Sequence, residues 1–181
     1  RVNGRGPIQK LFLNNCFVFQ MGVLDQGFWP DGLYTHPTDA ALRWDVDQIR
    51  SWGFNMTRKH IKVESRRWFY HCDRAGLLVW QDMPGTFKAR TLDEKAQFET
   101  ELSRLVRTHW NSPCIVNWII FNEHWGAYDV KRLTEFVMEL DPTRLVTGNS
   151  GIDAGNPHFD YQVGHIIDNH HYRPPTYPFA T

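Results

Sequence analysis

The residues best suited to chemistry in this chain are Asn122 and Glu123. They stand where a short apolar run, Cys114–Phe121, ends abruptly before the turn His124-Trp125-Gly126. A buried strand that stops in an Asn-Glu pair delivers a carboxyl group to the mouth of a sheet. The rings of Trp118, Phe121 and Trp125 would disfavour its charged form, so that it holds a proton near neutral pH, as a general acid must. Other polar residues collect at what read as strand ends: Asp25, Arg58, His60, Asp82 and His170. Arg58 reads as support for a site or as a rim ion pair. Asp25 is suited equally to a ligand hydroxyl and to capping a turn. Asp82, Asp168 and Glu64 are further carboxylates, each suited to a substrate contact, an ion pair or a helix cap. Trp29, Trp80 and Trp125 serve equally as core or as flat apolar platforms.

Other groupings point nowhere specific. His158, His165, His170 and His171, with Asp168, form a His-rich end whose spacing fits no zinc pattern, so a metal-dependent hydrolase is a remote reading. Gly148–Gly155 lacks a phosphate-loop arrangement, and no Ser-His-Asp grouping follows a nucleophile elbow. No metal or cofactor is expected. Cys16, Cys72 and Cys114 are isolated and read as small buried apolar residues. Twenty basic side chains balance twenty acidic ones, and they are scattered, which favours neither nucleic acid nor a membrane as partner. No apolar run approaches the ~20 residues that span a bilayer.

The elements that must position these groups alternate. Lys10–Leu13 and Cys16–Phe19 flank Asn14-Asn15 as a hairpin whose second arm runs on to Leu24. Helices are expected over Thr38–Trp52, from Ser65 to Ala75, from the capping box Thr91-Leu92-Asp93-Glu94, and from Asp129 to Asp141-Pro142. Between them lie strands at Phe54–Thr57, Leu77–Trp80, Ile115–Phe121 and Leu145–Thr147. After a Gly/Asn/Pro-rich loop comes a last strand, Ile166–Asn169. Apolar strands alternating with helices predict an α/β fold with a parallel sheet, its site beyond the carboxyl ends of the strands. About six such units are visible, against the ~250 residues typical of a closed eight-unit barrel. The 181 residues therefore read as an incomplete (β/α)8 TIM barrel, and the start at Arg1-Val2-Asn3 as a cut within a longer chain.

The ordered motifs carry a resemblance. Gly22-Val23-Leu24-Asp25-Gln26-Gly27, Gly53 through His60, Asp73 through Trp80, Trp110 through Glu123, Asp141-Pro142-Thr143-Arg144 and Asp168 through Tyr172 resemble the catalytic barrel of glycoside hydrolase family 2, which includes β-galactosidases, β-glucuronidases and β-mannosidases. The resemblance implies a retaining glycosidase acting on β-linked carbohydrate. It makes Glu123 the general acid/base, Asn122 the partner of the sugar 2-hydroxyl and Arg58 the support of the nucleophile, with His170 and Tyr172 lining the sugar subsite. The spacing of Arg58-Lys59-His60 departs from the family's Arg-x-x-His. Asp25, His60, Trp80, Asp82 and Trp125 complete the candidate substrate contacts. Residues 1–16 would be the end of, or linker from, a preceding β-sandwich domain, and 17–181 the partial barrel. The family nucleophile is a Glu on a seventh strand, expected beyond residue 181, since no Glu follows Glu139. The alternative is a carbohydrate-binding barrel that lacks the nucleophile. These residues alone are expected to hydrolyse little, and their open sheet edges are compatible with a homo-oligomer.

Overall fold

Strands that are apolar on both faces must be covered on both, and this chain meets that demand by alternating strands with helices. The computed structural model describes residues 10–151, 161–170 and 172. A short hairpin comes first, β1 (Phe12–Leu13) and β2 (Cys16–Phe17), turned by Asn14 and Asn15 at φ 50° and 65°. The second arm does not continue to Leu24 as expected. Val18 closes back on Leu11 O, and a new sheet begins at β3 (Gly22–Asp25). There follow α1 (Asp39–Ser51), β4 (Met56–Lys59), α2 (Arg66–Ala75), β5 (Leu78–Asp82), α3 (Leu92–His109), β6 (Ile115–Asn122), α4 (Val130–Leu140) and β7 (Leu145–Ser150). Strands β3 to β7 lie in chain order and pair parallel throughout. The result is an α/β arc, five strands of an incomplete TIM barrel.

The helices bury one stripe each. Leu42, Val46 and Ile49 of α1, Trp68, Phe69 and Cys72 of α2, Leu102 and Val106 of α3, and Leu133 and Val137 of α4 pack with Val79, Ile120 and Val146 of the sheet. Each such side chain contributes about 1.5–3 kcal/mol of transfer free energy. Thr38 caps α1 by accepting from Ala41 N, and Thr91 and Glu94 form the full capping box of α3. Ser65 and Asp129 stand at the other two N-termini, but neither makes a side-chain cap bond; the Asp129 carboxylate pairs with Arg132 instead. Cys72 and Cys114 are buried as expected, whereas Cys16 is exposed on the hairpin.

Three expectations about the sheet need correction. Among the described residues Ile166–Asn169 pairs with no strand; Asp168 instead accepts from Ser150 Oγ and Gly151 N, tying the segment to the end of β7. β7 runs on to Ser150 rather than stopping at Thr147. The rings of Trp118 and Phe121 face helices and not Glu123. Trp118 Nε1 donates to Asp141 Oδ2, and Phe121 stacks on Phe98 of α3 with centroids 5.2 Å apart. The Asp141–Arg144 motif is a clasp at the opposite end of the sheet from Glu123. Arg144 pairs with Asp141 and donates to Trp110 O, Ser112 O and Ile115 O, the carbonyls that lead into β6.

Candidate active site

Strand ends bring one group from each of four neighbouring strands to a single point. Arg58, near the end of β4, is buried, and its guanidinium makes a bidentate pair with Asp82 at the end of β5, 2.9 Å on both arms. It also donates to Asn122 Oδ1 at the end of β6 (2.8 Å) and to Ser150 Oγ at the end of β7 (2.7 Å). The fifth N–H meets His170 Nε2 at 3.1 Å. All five donors of the fork are thereby used. Burial raises the Asp82 carboxyl against the pull of Arg58. Because Asn122 gives its oxygen to Arg58, its amide NH2 is turned away from the guanidinium, which fixes the side chain as a donor.

Glu123 follows directly. Its backbone and that of His124 take positive φ (47° and 61°), a conformation that costs non-glycine residues of order 1–3 kcal/mol. β7 holds them there: Glu123 N donates to Ser150 O, and His124 N to Asn149 Oδ1. The Glu123 side chain, 22% exposed, lies 2.7 Å from His170 Nδ1, and the Tyr172 hydroxyl donates to the same oxygen, Oε1. The His170 tautomer that satisfies both neighbours carries its proton on Nδ1, donating to Glu123, while Nε2 accepts from Arg58. Asp168, 3.6 Å from Nε2, is the largest influence raising the His170 pKa above its ordinary value, with Glu123 adding to it. For Asp168, burial acts upward, but the neighbouring His170 and the bonds from Ser150 and Gly151 outweigh it and hold its pKa low.

His60 and Trp125 border this cluster. His60 is buried, bonds Gln26 Nε2 through Nδ1, and stands edge-on to the Trp125 ring. Burial lowers its pKa, and the charges of Asp82, Arg58, His170 and Glu123 all act on it. Two candidates lie elsewhere. Asp25 is spent on Gly27 N and on the wholly buried Lys59, which shares Glu64 with Lys62. Trp80 donates to Gln20 at the hairpin end of the sheet, beside Phe17 and Phe19. His158 and His171 fall outside the described residues. Sequence reasoning missed Asn149, Ser150 and Gln26; the polar residues ending β7 follow the same strand-end rule that picked out Asn122.

Comparison with known proteins decides the family. Residues 37–174 match the family model described as Glycosyl hydrolases family 2, TIM barrel domain. The chain belongs to glycoside hydrolase family 2. This family 2 barrel is 30% identical over 128 residues to a beta-glucuronidase of Bacteroides fragilis, covering 64% of the chain and 18% of the relative. It is 26% identical over 160 residues to a beta-galactosidase of Thermoanaerobacterium thermosulfurigenes, covering 75% of the chain and 22% of that relative. It thus spans about a fifth of the length of these relatives. Among solved structures its fold is similar to the beta-glucuronidase of Parabacteroides merdae (TM-score 0.70, 21% identity, 78% of this chain and 19% of that one). The GH2 beta-galacturonidase of Eisenbergiella tayi is similar to the same degree (TM-score 0.70, 23% identity, 78% and 27%).

Proposed function

We propose that this barrel hydrolyses the O-glycosidic bonds of β-linked glycosides by a retaining double displacement, with Glu123 as general acid/base. The observation that carries the reading is the Glu123 carboxylate at the rim of the sheet, bonded by His170 and Tyr172 beside an Asn122 whose amide is oriented by Arg58. In the first step Glu123 gives its proton to the glycosidic oxygen as the anomeric C–O bond breaks and a nucleophilic carboxylate bonds to the sugar. In the second, Glu123 takes a proton from water, whose oxygen displaces that carboxylate. Asn122 is suited to donate to the 2-hydroxyl of the sugar. Asp82 and Asp168 are both engaged in the Arg58–Ser150 cluster, which argues against either as nucleophile. The reading assigns that role to a Glu of a seventh strand, beyond residue 181. The names of the relatives make β-glucuronides and β-galactosides the first substrates to try.

Glu123→Gln in the full-length polypeptide that carries this barrel tests the reading. Loss of general acid catalysis should lower kcat/KM by about 10²–10⁴ on alkyl glycosides and far less on dinitrophenyl glycosides, whose leaving groups need no proton. Unchanged rates on both would refute the role of Glu123. The alternative reading is a barrel that binds carbohydrate without cleaving it. Binding without turnover by the wild-type full-length polypeptide would select it.

A further inference from the structure

The loop between β5 and α3 is clamped onto the turn that carries Glu123. Gly126 (φ 56°) approaches that loop so closely that a Cβ would fall 2.7 Å from Lys88 O and 2.8 Å from Thr86 O. A side chain at position 126 would force the two segments apart. Arg90 closes the clamp by donating to Gly126 O. Its guanidinium is held in place by the rings beneath it, 4.2 Å from the Phe98 centroid and 5.7 Å from that of Phe121. The clamp sets the Phe87 ring against the Trp125 ring, centroids 4.3 Å apart and planes at 49°. Trp125 in turn meets His60 edge-on at 5.9 Å. A continuous aromatic wall therefore runs from the charged cluster outward across the ends of β4, β5 and β6. Its outermost member, Phe87, is 77% exposed. An apolar ring set in water against its neighbour, at the rim of a site, is a surface waiting to be covered.

The chemistry of Glu123 says what covers it. A general acid must reach the oxygen between the sugar and its leaving group, so the leaving group passes alongside that carboxyl. Trp125 is two residues further along the same turn. We propose that Phe87 and Trp125 form the subsite for the leaving group, with a preference for a flat apolar face: an aryl ring or the C–H face of a second sugar. The proposal rests on the reading of Glu123 and adds the substrate class on its far side.

Non-cleavable thioglycosides separate the two ideas. Calorimetric titration of the full-length polypeptide would use methyl, phenyl and thio-linked disaccharide derivatives of galactose and glucuronic acid. The phenyl or disaccharide compounds should bind about tenfold tighter than the methyl ones, the worth of one added ring contact. Phe87→Ala, a change at an exposed position, should remove that advantage and leave methyl affinity intact, and Phe87→Tyr should restore it. The aglycone that loses more identifies its natural source. Equal affinities for all three aglycones in the wild type, or a loss in Phe87→Ala shared by the methyl compounds, would overturn the subsite while leaving the glycosidase reading in place. Failure of every compound to bind would overturn both.

Discussion

Arg58 shows why one side chain type is required at the centre of the site. A lysine carries a point charge and three donors; Arg58 uses a planar fork to hold Asp82, Asn122, Ser150 and His170 at once. It has no N–H left for a ligand, so its part is to orient the side chains around it. His170 is the group among them whose charge responds near neutrality. The Asp168 carboxylate 3.6 Å away, then the bond to Glu123, raises its pKa above 6.5. A raised pKa contributes stability that is fully present below the unfolded value and is lost as pH rises through the folded one. His170→Gln should therefore destabilise most near about pH 5.5, and the difference from wild type should shrink by about pH 9. Urea denaturation at the two pH values checks this; a pH-independent difference would contradict it.

At the scale of elements, local signals written in side chains were legible. The capping box of α3 formed as Thr91 and Glu94 foretold. Thr91→Ala should cost about 1 kcal/mol of stability, readable as a lower denaturation midpoint with an unchanged slope. Facing was not legible in the buried strands. β6 is apolar on both sides, so its pattern carries no information about which way Trp118 and Phe121 point, and both turned to the helices. The end of β7 was hidden by Gly148, which reads as the start of a loop. In the fold Gly148 lies against α4, where a Cβ would come 2.4 Å from Thr134 Oγ1; its smallness serves packing within a strand. Ile166–Asn169 is held to the end of β7 by the Asp168 side chain rather than by a strand ladder, which its apolar pattern did not reveal. Asn122, Glu123, Arg58 and Asp82 were visible because strand ends are where polar residues have no packing reason to be; His170 was picked out beside a strand that did not form. Phe87 was not, because an exposed ring in a loop has no such contrast.

At the scale of the whole molecule, β3 has among the described residues a strand partner on one side only, β4, and beside it Phe19, Met21 and Leu24 are exposed. Unpaired backbone next to exposed apolar side chains invites another chain. The 181-residue polypeptide should therefore sediment as species larger than one chain at micromolar concentration; a single species of monomer mass would contradict this. The parallel order of the strands has one more consequence. Chains emerge from the ribosome amino end first. Arg58 arrives before any of its acceptors, and Asp82, Asn122, Ser150 and His170 follow in the order of the chain. The cluster therefore closes only when the end of β7 and His170 have been made, so that the last-synthesised partners complete the coordination of a cation laid down early in the chain.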